Sequence, residues 1–108
     1  MRHERLVSIS PDHPALPGHF PNHPVVPGVL LLDEVIETLR EHCGQYVVVT
    51  GLPSVKLSSP LLPGEPLTIL VEREANDRAT FACRVGFRLV ASGSIQFHIT
   101  DSDRTMKP

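Results

Sequence analysis

The stretch GHFPNHPVVPGVLLLDE, Gly18 to Glu34, changes character at Pro27. Six of the eleven prolines fall at positions 11, 14, 17, 21, 24 and 27. Proline fixes φ and lacks an N–H, so Pro11 to Pro27 reads as a stiff, extended loop rather than regular helix or central strand. His19, Phe20 and the apolar pair Val25 and Val26 point to a packed loop, since a solvated linker rarely carries that many apolar side chains. Pro27 suits the first turn of a helix, where its missing N–H costs nothing, and Gly44 suits the position just past a helix end. The spacing predicts a helix over about 27–43. Leu32, Val35, Ile36 and Leu39 recur at helical intervals as a buried stripe, Glu34, Glu37, Arg40 and Glu41 cover the opposite side, and Asp33 adjoins the stripe.

Beyond Gly44 the pattern turns to β. The segments YVVVTGL, SVKLSSPLL, PLTILVERE, TFACRVGFRLV and SGSIQFHIT, within 46–100, are rich in Val, Ile, Thr and Phe and read as four or five antiparallel strands. Pro63-Gly64 and Ala75-Asn76-Asp77-Arg78 mark two turns, and Ala91 to Gly93 marks a third turn or a bulge within a long strand. With a short extended segment from Leu6 to Ile9, the expectation is an α+β chain, one central helix with a sheet around it. No internal repeat or second domain is visible in residues 1–108, and DSDRTMKP reads as a frayed tail.

A length of 108 residues fits one domain whose modest core gains from oligomerisation. With 41% hydrophobic residues, 20% charged residues and a net charge of -2, the composition is that of an ordinary globular protein. Its ten Lys and Arg are scattered, which argues against nucleic acid or an anionic membrane as partner. MRHERLVSIS lacks the apolar core of a secretory signal and no apolar run approaches bilayer length, so a cytoplasmic location is expected. Cys43 and Cys83 match no metal-binding spacing and read as two reduced thiols.

The chemistry concentrates in the opening stretch. Histidine titrates near neutrality, so His19 suits a base, and a partly buried carboxylate at Asp33 can hold or donate the complementary proton. His13 and His23 flank His19, but no carboxylate or cysteine completes a recognisable ligand set, so no metal or other cofactor is expected. The sequence contains no G-x-S-x-G, phosphate-binding glycine loop or nucleotide fingerprint.

His19-Phe20-Pro21, Pro24-Val25, Pro27-Gly28-Val29-Leu30 and Asp33, followed by the block VKLSSPLLPGEPL from Val55 to Leu67, resemble the hot-dog-fold β-hydroxyacyl-acyl-carrier-protein dehydratases. The resemblance spans roughly residues 10–100. It implies a hot-dog fold, a curved antiparallel sheet wrapped around one central helix, and a homodimer or higher oligomer whose active sites each draw on two subunits. His19 would abstract the C2 proton of a 3-hydroxyacyl thioester, while Asp33 of the other subunit helps the 3-hydroxyl leave as water. The backbone N–H of Gly28 would polarise the thioester carbonyl, and the Val25 carbonyl would orient the histidine. Phe20, Val25, Val29, Leu30 and Leu31 are the candidates to contact substrate. The implied partner is acyl carrier protein bearing a phosphopantetheine-linked acyl chain. The small members that build aryl polyenes are the narrower likeness.

Asp33 stands where the broad-range, non-isomerising dehydratases carry glutamate, and Asn22 where glycine is common. Glu37 stands where relatives often have glutamine, one turn from Asp33 on the same face. A carboxylate there favours a protonated Asp33 unless Arg40 neutralises it. Two other readings use the same fold: an acyl thioesterase, which usually lacks the His-Phe-Pro loop, and a non-catalytic partner subunit of a heteromeric dehydratase.

Overall fold

In the computed structural model, which describes residues 2–12, 25–44 and 46–100, helix α1 (Gly28–Cys43) starts directly after Pro27 and stops at Gly44. Gly44 takes a left-handed φ of 66° and donates its N–H to the Arg40 carbonyl at 3.0 Å, the closure that a residue without Cβ makes easily. The buried face is rotated from the predicted stripe. Val35 and Leu39 are buried as expected, but their companions are Leu31 and Thr38, while Leu32 and Ile36 are only half-buried. Thr38 tolerates the core because its hydroxyl donates to the Glu34 carbonyl at 2.8 Å. A polar residue on the buried face is what the hydrophobic pattern missed.

Among the described residues five strands form one antiparallel sheet: β1 (Arg2–Val7), β2 (Tyr46–Leu57), β3 (Leu67–Ala75), β4 (Arg78–Val85) and β5 (Arg88–Thr100), in the order β1-β3-β4-β5-β2. The sheet curves around α1. On its inner side Ile69, Val71, Cys83, Ile95 and Phe97 meet Val35 and Leu39 of the helix, each at most 1% exposed. Burying side chains of this size stabilises the fold by roughly 1.5–3 kcal/mol apiece. Among the described residues, no helix is long and apolar enough to cross a membrane.

The strand boundaries correct the sequence in three places. YVVVTGL and SVKL are one strand, β2, kinked by register shifts between Val49 and Gly51 and between Gly51 and Ser54, and the residues after Leu57 leave the sheet. The kink brings the Ser54 carbonyl so close to β5 that a Cβ on Gly93 would lie 2.1 Å from it and 2.9 Å from the Phe81 ring. TFACRVGFRLV, read as one strand, reverses at Gly86, whose φ of 60° suits glycine. Ala91 to Gly93 is continuous strand, and the nearby irregularity is a bulge at Val90, between the pairs Cys83–Ala91 and Arg84–Leu89.

Strand β1 is fastened to the helix by charge. Arg5 donates to both Glu34 and Glu41, and His3 shares Glu41 at 3.2 Å. Both cysteines are free. Burial pushes the Cys83 thiol up to about 12 and raises that of Cys43.

Candidate active site

Where the chain enters α1, the Val26 N–H donates to the Leu61 carbonyl at 2.8 Å, stitching the helix approach to the segment that follows β2. The N–H groups of Ser58 and Ser59 both reach the Val90 carbonyl, at 2.8 and 3.3 Å, and the Ser59 hydroxyl donates to the Leu89 carbonyl at 2.8 Å. These bonds hold open a cavity of about 290 Å³. Val25, Val26, Gly28 and Leu31 form one wall, residues 57–61 the other, and Val90 the floor. The lining is mainly aliphatic, with Ser58 and Ser59 as its polar side chains, the composition of a site that takes an apolar chain with a polar head.

Gly28 lies at the helix end of this cavity. Among the described residues, no acceptor is bonded to the backbone N–H of Gly28 or Val29, Pro27 provides no side-chain cap, and the first turn holds no acid. Of these two residues Gly28 lines the cavity, so a helix N-terminus, the positive end of the helix dipole, adjoins an apolar space, an arrangement that favours negative charge on a ligand oxygen. A Cβ on Gly28 would lie 3.3 Å from Leu57 Cδ1, so the residue type keeps this corner open.

Asp33 is exposed on α1, beyond the cavity rather than in it. Arg40 donates to Glu37 Oε2 at 2.9 Å, which realises the neutralised alternative for the acid one turn from Asp33. Of the candidate substrate contacts, Val25 and Leu31 line the cavity. Val29 is 70% exposed on the outer side of the first turn, and Leu30 packs against the core. His19 and Phe20 lie outside the described residues, as do His13 and His23. Among the described residues no three His, Cys, Asp or Glu are grouped to hold a metal ion.

The second wall went unrecognised in the sequence. Leu57, Ser58, Ser59, Pro60 and Leu61 belong to the proline-punctuated block VKLSSPLLPGEPL, which reads as strand and turn until Val26 is found bonded across to Leu61. Three prolines, Pro60, Pro63 and Pro66, with Gly64 between strands were the available signal of a shaped loop.

The family model of the ApeI-like proteins, described as ApeI dehydratase, matches residues 2–94. The 3-hydroxyacyl-acyl-carrier-protein dehydratase FabZ of Macrococcus caseolyticus is 30% identical over 107 residues, covering 89% of this chain and 74% of that protein. Among solved structures, the dehydratase heterocomplex ApeI:P from Xenorhabdus doucetiae superposes with a TM-score of 0.78 at 24% identity, over 91% of this chain and 94% of that one. The fluoroacetyl-CoA thioesterase FlK superposes with a TM-score of 0.75 at 14% identity, over 100% and 96%. Dehydratases and thioesterases thus share this hot-dog fold.

Proposed function

Because the chain belongs to the ApeI-like dehydratase family, we propose that it dehydrates 3-hydroxyacyl thioesters on acyl carrier protein to trans-2-enoyl thioesters in the cytoplasm. The observation that carries this reading is the apolar cavity lined at one end by Gly28 in the first turn of α1, whose N–H has no partner among the described residues. A thioester carbonyl placed there gains a donor for the negative charge that develops when its C2 proton is removed.

His19 is the base for that proton. The electron pair left on C2 forms the C2–C3 double bond as the C3–O bond breaks, and Asp33 gives the departing hydroxyl a proton so that it leaves as water. His19 then holds the C2 proton and Asp33 lacks one, so a proton returns from histidine to aspartate before the next turnover. The exposed position of Asp33, outside the cavity of its own chain, fits a site completed across a dimer. We assign the contact to the outer edge of β2, where Leu52, Val55 and Leu57 are exposed along a strand that pairs with β5 on one side and has no second neighbour among the described residues. An edge of this kind accepts either a second copy or a related chain, and the likeness to the ApeI:P heterocomplex favours testing both. Polyene-type intermediates are the finer substrate assignment, supported by the ApeI-like match.

Absorbance of the enoyl thioester follows the reaction in both directions with a 3-hydroxyacyl group on carrier protein. His19→Ala and Asp33→Asn should each lower kcat by about 10²–10⁴-fold with the fold retained. A native assembly that releases free thiol instead is a thioesterase. One that is inert alone and active only with a second dehydratase chain is a partner subunit.

A further inference from the structure

The β4–β5 turn carries the most exposed apolar side chain among the described residues, Phe87 at 104% relative exposure. Nothing in the fold accounts for it. The reversal is made by Gly86, and a phenyl ring in water adds no core contact. A lone exposed aromatic that the fold does not use is the residue type that anchors protein interfaces.

Its neighbours are cationic. Arg84 and Arg88 flank it in sequence, on the paired strand ends Arg84–Leu89 and Val85–Arg88. Arg88 is fixed by Glu65 at 2.8 Å, whereas Arg84 is exposed and has no ion-pair partner among the described residues. Lys56, two strands away, extends the same sign across the outer sheet face. Glu65, beside the turn, is occupied by Arg88 and the Leu62 N–H.

This turn is mechanically joined to the cavity. Arg88 also reaches the Pro60 carbonyl at 3.4 Å, the Leu89 carbonyl holds the Ser59 hydroxyl, and Val90 is the cavity floor. Three residues of strand, roughly 10 Å, separate Phe87 from Val90. We propose that Phe87 and Arg84 form the docking point for the acyl carrier protein, with the ring seated in an apolar notch and the guanidinium on an acidic carrier surface. The phosphopantetheine arm then passes beside residues 58–60 into the cavity. This inference rests on the dehydratase reading for its partner.

The test compares Phe87→Ala and Arg84→Glu with the native assembly on two substrates: a 3-hydroxyhexanoyl group on holo acyl carrier protein, and the same acyl group on N-acetylcysteamine. Both variants should raise KM for the carrier-bound substrate about tenfold or more and leave its kcat unchanged. Kinetics on the small thioester and the mass of the assembly should not move. Equal losses on both substrates, a changed assembly mass, or a KM within twofold of native would overturn the proposal. Titration of the 3-hydroxyhexanoyl carrier, read as binding without turnover, keeps the two claims separate. Binding that weakens in both variants while the native assembly dehydrates neither substrate sinks the dehydratase reading and retains the docking point.

Discussion

Gly28 shows how one missing atom shapes the site. Its φ is helical, so any residue fits the backbone there, and alanine is a good helix former. The constraint is the cavity: a Cβ would press on Leu57 Cδ1 at 3.3 Å, beside the N–H groups that would polarise a substrate carbonyl. Leu57 is 60% exposed and free to shift by a few tenths of an ångström, so the fold absorbs the change. Gly28→Ala should therefore leave the melting temperature within about 2–4 °C of native while lowering kcat/KM about ten- to a hundredfold, because small misplacements of a reacting group are costly. Full activity in this variant would remove Gly28 from the site.

At the scale of elements, β1 and the end of α1 form an acid-sensitive seam. His42 is held below its ordinary 6.5, chiefly by burial and then by the basic groups His3, whose ring centroid is 5.8 Å away, and Arg73. Glu41 is held below 4.5, first by its hydrogen bond to His3 and then by Arg5, against an opposing effect of burial. Both groups bind protons less readily folded than unfolded, so their stabilisation is complete above the unfolded values and declines on acidification. Between about pH 7.5 and pH 5.5 the loss comes from His42, and Glu41 adds to it below 4.5. Thermal melts should fall by a few degrees over that first interval, with a shallower fall in His42→Gln; identical slopes would dismiss the seam. None of this was legible beforehand, since His3, Arg5, Glu34 and Glu41 are brought together only by the fold. Local signals did better. Pro27 and Gly44 marked both ends of α1, and Pro63-Gly64 marked a turn whose Gly64 has a φ of 87°. The β4–β5 reversal was hidden because V-G-F-R carries no Asn-Gly or Asp-Gly signature and apolar residues continue on either side.

Across the whole molecule, the order β1-β3-β4-β5-β2 leaves β2 with one edge unpaired among the described residues, on a strand that packs against the helix carrying Asp33. Val55→Asp places a charge on that edge without touching the buried core, so the chain should fold, run at the mass of a single copy in light scattering, and lose activity. A monomer with native kcat would show that each chain holds a complete site. The same strand order has a consequence for how the protein is made. Among the described residues strand β2 finds its partner only in β5, with Tyr46 opposite Thr100, so a nascent chain must carry the twelve residues of β2 unpaired until the whole of β5 has left the ribosome. Val90 and Ser58 meet by that same late closure, and the cavity they line therefore forms after β3 and β4 have paired.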